Sequence, residues 1–116
     1  MKITINAIPP SNNEFMGNSK NFNIYRKQKE MWHLLIKQAI KNKPEKPYEK
    51  AEVIITYYFK DNRRRDADNY SGKMLLDPLT REGIIVDDDF EHIILTVRKG
   101  GVDKENPRTE IEIKEK

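Results

Sequence analysis

The sequence predicts an α+β fold: a single small domain over residues 1–116, with one mixed sheet of about four strands and two helices. Three observations carry this. Several short segments alternate apolar and polar residues with period two, one segment of about twenty residues carries an apolar stripe at helical spacing, and proline or glycine clusters separate them. No internal repeat, low-complexity segment or linker divides the 116 residues, a length typical of one domain.

KITINAI alternates Ile3 and Ile5 with Lys2, Thr4 and Asn6 and predicts the first strand. PPSNN at 9–13 stops it, because prolines and asparagines are turn chemistry. Residues 14–23 read as a polar, mobile loop. A helix is predicted from about Asn23 to Lys43, with Trp32, Leu35, Ile36, Ala39 and Ile40 on one face and Lys29, Lys37 and Lys41 opposite; Pro44 and Pro47 end it. AEVIITYYF at 51–59 predicts a central strand, since Val53, Ile55, Tyr57 and Phe59 share one face and Ile54 and Tyr58 lie on the other. A second helix is expected from Asn69 to about Glu82, capped by Asp68, weakened at Gly72 and kinked or divided at Pro78. Asp77-Pro78 also reads as a fresh N-cap with proline at the first helical position. Ile93, Leu95 and Val97 mark a third strand, Ile111 and Ile113 a fourth, and Gly100 to Pro107 the turn between them.

The net charge of +3 conceals a segregation. Residues 20–50 hold nine Lys/Arg against three Glu and residues 60–65 four against one, whereas residues 66–91 hold eight acids against two bases. The basic segments suit a polyanion, with Lys20, Arg26, Lys27, Arg63, Arg64 and Arg65 as candidate phosphate contacts. The acidic segment suits a divalent cation. No apolar run approaches the length of a transmembrane helix, and the N-terminal residues lack the apolar region of a signal peptide. With no cysteine, a disulfide framework and thiolate metal sites are excluded. A soluble intracellular protein is the expectation.

The densest feature is RRRDADNYSGK at 63–73. Taken alone, Asp66 and Asp68 read as turn and cap residues, and Asp87-Asp88-Asp89 as an acidic turn before a strand. The calcium-loop pattern fails, since Tyr70 stands at the third ligand position. Taken together they suit phosphodiester hydrolysis. That reaction needs charge stabilisation on the phosphate and an activated water, which one or two Mg²⁺ ions held by a few carboxylates supply. Asp66, Asp68 and either Asp87 or Asp88 offer the carboxylates, and Lys73 offers a cation for the developing charge. His33 and His92, without local partner motifs, read as structural. Tyr57 and Tyr58 read as sheet packing, and no nucleophile-elbow serine or phosphate-cradling glycine loop is present.

RRRDADNYSGKMLLDPLTREGIIVDD at 63–88 resembles the signature of RusA-type Holliday-junction resolvases: R-R-D-x-D-N, a lysine, D-x-L-T-x-x-G, then an apolar run ending in D-D. PPSNN is similar to that family's N-terminal segment, so the resemblance spans nearly the whole chain. It implies a homodimeric, Mg²⁺-dependent endonuclease, with Mn²⁺ as a substitute and no small-molecule cofactor. Such an enzyme nicks four-way DNA junctions in symmetric pairs and is carried by bacteria or their phages, in the cytoplasm. By the same resemblance the catalytic, metal-holding aspartates are Asp66, Asp68 and Asp88, with Asp87 in reserve, and the essential lysine is Lys73. Two departures stand out. One extra residue lies between Asn69 and Lys73, expected to be absorbed as a π-bulge or to rotate the lysine by about 100°. Pro78 stands where the helix would run on. A helix over 69–82 would also carry the chain away from Asp68, leaving open how Asp88 returns, in cis or from a second subunit. A less selective nuclease for flaps, or a basic accessory protein with structural acidic turns, are the alternative readings. For a dimer, the first helix is the candidate contact, with Tyr25 and Met31 flanking the Trp32 stripe.

Overall fold

The computed structural model describes residues 1–12 and 19–116, apart from the side chains of residues 19–22 and of Asp68. The elements run β1 (Lys2–Ile5), α1 (Ser19–Ala39), β2 (Ala51–Phe59), a 3₁₀ turn (Ala67–Tyr70), α2 (Lys73–Arg81), β3 (Ile93–Val102) and β4 (Arg108–Glu115). The four strands form one sheet in the order β1-β4-β2-β3. β4 pairs antiparallel with both β1 and β2, while β2 and β3 are parallel. The expected mixed four-stranded sheet with two helices is therefore the fold.

Register explains the layering. Val53, Ile55 and Tyr57 lie beside Ile113, Ile111 and Thr109 of β4, and beside Leu95, Val97 and Lys99 of β3. This face meets Trp32 and Ile36 of α1 and Leu75 and Leu79 of α2, all 1% exposed or less. The opposite face carries Lys2, Glu110, Arg108 and Glu112 and lies open to water, laced by Lys2–Glu110 at 3.0 Å and Arg108–Glu110 at 2.8 Å. Such one-sided burial suits a sheet whose strands mostly alternate.

Several boundaries differ from the sequence reading. α1 begins at Ser19, so residues 19–23 of the expected loop are helical; residues 14–18 of it lie outside the described residues. The helix ends at Ala39, with Ile40 N–H still reaching Ile36 O at 3.1 Å. Lys43 precedes Pro44, and a residue before proline is pushed out of helical backbone. Lys29, expected on the solvent face, turns toward α2. β3 runs on to Val102, so the turn into β4 is shorter than expected.

The second helix is shorter still, nine residues. Gly72, with φ of 81°, separates it from the 3₁₀ turn and stands at its N-cap, not Asp68. Pro78 neither divides nor starts the helix but sits inside it. The helix closes on Gly83, with φ of 77°: Gly83 N–H donates to Thr80 O at 3.2 Å and Ile84 N–H to Leu79 O at 2.9 Å, the two bonds of a Schellman motif. The chain then turns back, buries Ile84 and Ile85, and bridges Ile85 to Tyr48. Among the described residues no helix is long and apolar enough to cross a membrane.

Candidate active site and nucleic-acid interface

The site grows from the end of β2. The parallel partner β3 lies on one side, and the chain leaves Phe59 into the charged segment 60–66. Asp61 organises that segment. Its Oδ1 accepts from Arg63 N–H at 3.1 Å and from Arg65 Nη2 at 2.8 Å, which together hold its carboxyl below the usual aspartate range. Arg65 also donates to the carbonyls of Asp61 and Arg63, and its guanidinium lies 4.2 Å from the Phe59 ring centroid. It is therefore a staple of the loop, 15% exposed. Arg63 and Arg64 are instead 76% and 91% exposed, and Arg64 Nε lies 3.5 Å from Asp66 Oδ1. Of three consecutive arginines, one is bound inward and two face solvent.

Asp66 is the N-cap of the 3₁₀ turn, closed by Asn69 N–H to Asp66 O at 3.0 Å, yet its side chain makes no capping bond. The cap role predicted for this residue falls to its backbone, and its carboxylate stays half exposed beside Arg64. Asp68 lies within the turn. The PPSNN segment abuts the same place: Asn12 Nδ2 donates to Ser71 Oγ at 3.1 Å, and Ser11 lines a hollow with Arg64, Asp66 and Asn69. Nothing in the sequence signalled that contact, since 59 residues separate its two ends.

No π-helical turn precedes Lys73: the chain breaks at Ser71 and Gly72, and Gly72 O starts the helical ladder by accepting from Leu75 and Leu76. Lys73 is then the first residue of α2, its Nζ 5.3 Å from the Tyr25 ring centroid on α1. One turn on, Asp77 lies 3.9 Å from both Lys29 and Arg81. Farther along, Glu82 meets His33 at 2.7 Å and Lys43 at 3.1 Å, contacts that depress its carboxyl, His33 first. The contacts Tyr25–Lys73, Lys29–Asp77 and His33–Glu82 show α1 and α2 running side by side in one direction.

The triple acidic run divides its labour. Asp89 accepts from the backbone of Glu91 and His92 and pairs with the His92 ring, so it is a turn residue. Asp87 accepts from Asp88 N–H at 2.8 Å. Asp88 is set apart: loss of hydration, then the adjacent Asp87, push its carboxyl up, and Asp77 adds to the effect. Asp77 thus shares the acidic environment of Asp88, a proximity the sequence reading did not draw. Among the described residues no three acidic or histidine side chains stand together closely enough to hold one ion. The donor set itself is all carboxylate oxygen, as a hard divalent cation prefers, and the crowding at Asp88 is of the kind a cation relieves. Of the distal candidates, Arg26 and Lys27 are exposed on α1, while the Lys20 side chain lies outside the described residues.

Comparison with known proteins gives one match. The family model described as Endodeoxyribonuclease RusA covers residues 7–114. No curated protein matches the chain.

Proposed function

Since the chain belongs to the RusA endodeoxyribonuclease family, which acts on Holliday junctions, we propose that it resolves four-way junctions by paired symmetric nicks, using Mg²⁺ held by Asp66, Asp68 and Asp88. The observation that carries this reading is the exposed Asp66 carboxylate, free of any capping bond, beside the solvent-facing Arg64 guanidinium, with Arg63 exposed on the same loop. Such an ion, with Mn²⁺ able to replace it, would neutralise the attacked phosphate and make water nucleophilic.

The chain's own groups account for the rest. Arg63 and Arg64 bind phosphates flanking the cut and position the strand. Lys73, at the start of α2, places a cation toward charge developing on the phosphate. Arg65 touches no DNA in this scheme; it fixes the loop that presents Asp66. Asp87 is the substitute should Asp88 prove dispensable. Two nicks in one encounter need two such sites, and a four-way junction has approximate two-fold symmetry, so the functional unit is a homodimer. Ile24, Met31 and Leu34, each about half exposed on α1, supply the surface for it.

The test is cleavage of a synthetic four-way junction, a flap and a duplex, with Mg²⁺ or with EDTA. Asp66→Asn, Asp68→Asn and Asp88→Asn should each abolish junction cleavage while leaving junction binding intact or tighter, because negative charge facing phosphates is removed. An excess of Asp68→Asn subunits mixed with wild type should leave junctions nicked on one strand. Full activity of all three variants, or cleavage of both strands by mixed dimers, would sink the assignment.

A further inference from the structure

Beyond the N-terminal end of α2, no α-helix among the described residues covers the inner face of the sheet. There the C-terminal half of β2 presents Tyr57 and Phe59 and the middle of β3 presents Val97, with residues Asn62 to Ala67 and Tyr70 completing the wall. The resulting cleft has a volume of about 350 Å³. Its back is an aromatic cluster: Phe59 and Tyr70 have ring centroids 5.2 Å apart at 76°, and Tyr57 and Tyr70 lie 6.0 Å apart at 65°. Tyr70 and Val97 are the half-buried members that turn surface toward the opening. The mouth is polar and mainly cationic, with Arg63, Arg64, Lys99 and Asn62 around it and Asp66 as the acid among its described residues. Lys99 Nζ donates to Asn62 Oδ1 at 2.8 Å, which keeps both on the rim.

An apolar aromatic back with guanidinium groups at the entrance fits a flat heteroaromatic ring carrying an anion. Asp66 belongs to the same wall, so a nucleotide seated here lies next to the carboxylate assigned to the cut. We propose that this cleft receives one unstacked base of the DNA strand beside the phosphate to be cut, Tyr70 contacting its face and Arg63 and Arg64 its phosphate. The proposal rests on the junction-nuclease reading and extends it. A junction centre supplies bases that lack a full stack, so withdrawing one is less costly there than in duplex. Aromatic contacts of this type accept any base, since each has a π-face. The volume suits one nucleotide, at the small end of ligand sites.

The experiment is photocrosslinking of the full chain, in EDTA, to four-way junctions carrying 5-iododeoxyuridine at single positions around the crossover, followed by peptide mapping. A crosslink to Tyr70, at one position within two nucleotides of the cut, is expected. Tyr70→Ala should weaken junction binding about tenfold, the effect of losing one base–aromatic contact. Tyr70→Phe should restore it, and Val97→Trp, which fills the cleft while keeping Tyr70, should weaken it comparably. Junction binding with every crosslink outside the cleft, or with Tyr70→Ala and Val97→Trp both at wild-type affinity, overturns this inference and leaves the nuclease reading standing. Failure to bind any junction overturns both.

Discussion

Gly72 joins the 3₁₀ turn that bears Asp66 and Asp68 to the helix that begins with Lys73, and its replacement by alanine tests how that joint is built. Two costs are readable. The backbone is left-handed at φ of 81°, where a Cβ costs roughly 1–2 kcal/mol. The added Cβ would also lie 2.5 Å from Ile55 Cδ1, in a side chain with no exposure, so that methyl must leave its rotamer at a cost of about 1 kcal/mol. Together Gly72→Ala should destabilise by about 2–3 kcal/mol, lowering Tm by roughly 10 °C for a domain of this size. Gly83→Ala is the control, because φ is 77° and nothing lies within 4 Å, so it reads backbone strain alone. Ile55→Val removes the clashing methyl, so the double variant Gly72→Ala/Ile55→Val should be less destabilised than additive by about 1 kcal/mol. Urea unfolding followed by fluorescence of Trp32, the sole tryptophan and 1% exposed, measures all four. Gly72→Ala within about 0.5 kcal/mol of wild type would refute the reasoning, as would a cost equal to that of Gly83→Ala with an additive double variant.

Replacing Arg63 and Arg64 together by glutamine should reduce the salt slope of junction binding by about two, one per phosphate contact. Arg65→Gln should leave the slope alone and lower Tm, since its partners are Asp61 and Phe59; a slope change for Arg65 and none for the pair would reverse the assignment. The depressed Glu82 carboxyl stabilises the fold at pH above its ordinary value of 4.5, and this contribution is lost as pH falls through the lower, folded value. Glu82→Gln should therefore flatten the acid limb of Tm against pH, and an unchanged limb would show that the His33 and Lys43 contacts do not form in solution. Light scattering should give twice the 13.7 kDa chain mass at micromolar concentration, and Met31→Glu with Leu34→Glu should halve it; a dimer that survives both changes is built on another surface.

The sheet was legible because its strands alternate: Ile3 and Ile5, Val53 to Phe59, and Ile111 and Ile113 announce their buried face with period two. β2 announced its central place by carrying apolar groups on both faces. The charged loop after β2 was legible as chemistry, through the density of carboxylates and arginines, but not as geometry. Which of three arginines turns inward depends on Asp61, and a run of like residues does not reveal it. Tyr70 joins Tyr57 and Phe59 only because the chain folds back over β2, and His33 finds Glu82 across two helices. Gly72 read as a weak point within one helix and not as its start, because a helical apolar pattern resumes at Met74 and masks the interruption. The Tyr70 and His33 contacts are made by tertiary folding between residues that local spacing cannot relate.

The strand order carries a consequence for how the chain is made. β4 is the last strand in chain order, yet it lies between β1 and β2. Until residues 108–115 leave the ribosome, β1 has no strand to pair with and β2 shows an open edge of nine residues, apolar on its inner face. The pairing of Ile3 with Ile111 closes a loop of more than a hundred residues, which places it late in folding. A nascent or truncated chain thus holds the charged loop after β2, its parallel β2–β3 pair and an unprotected edge, but not the full four-stranded sheet. Such an edge pairs readily with other chains, so C-terminal truncations should be lost to aggregation before they are lost to inactivity.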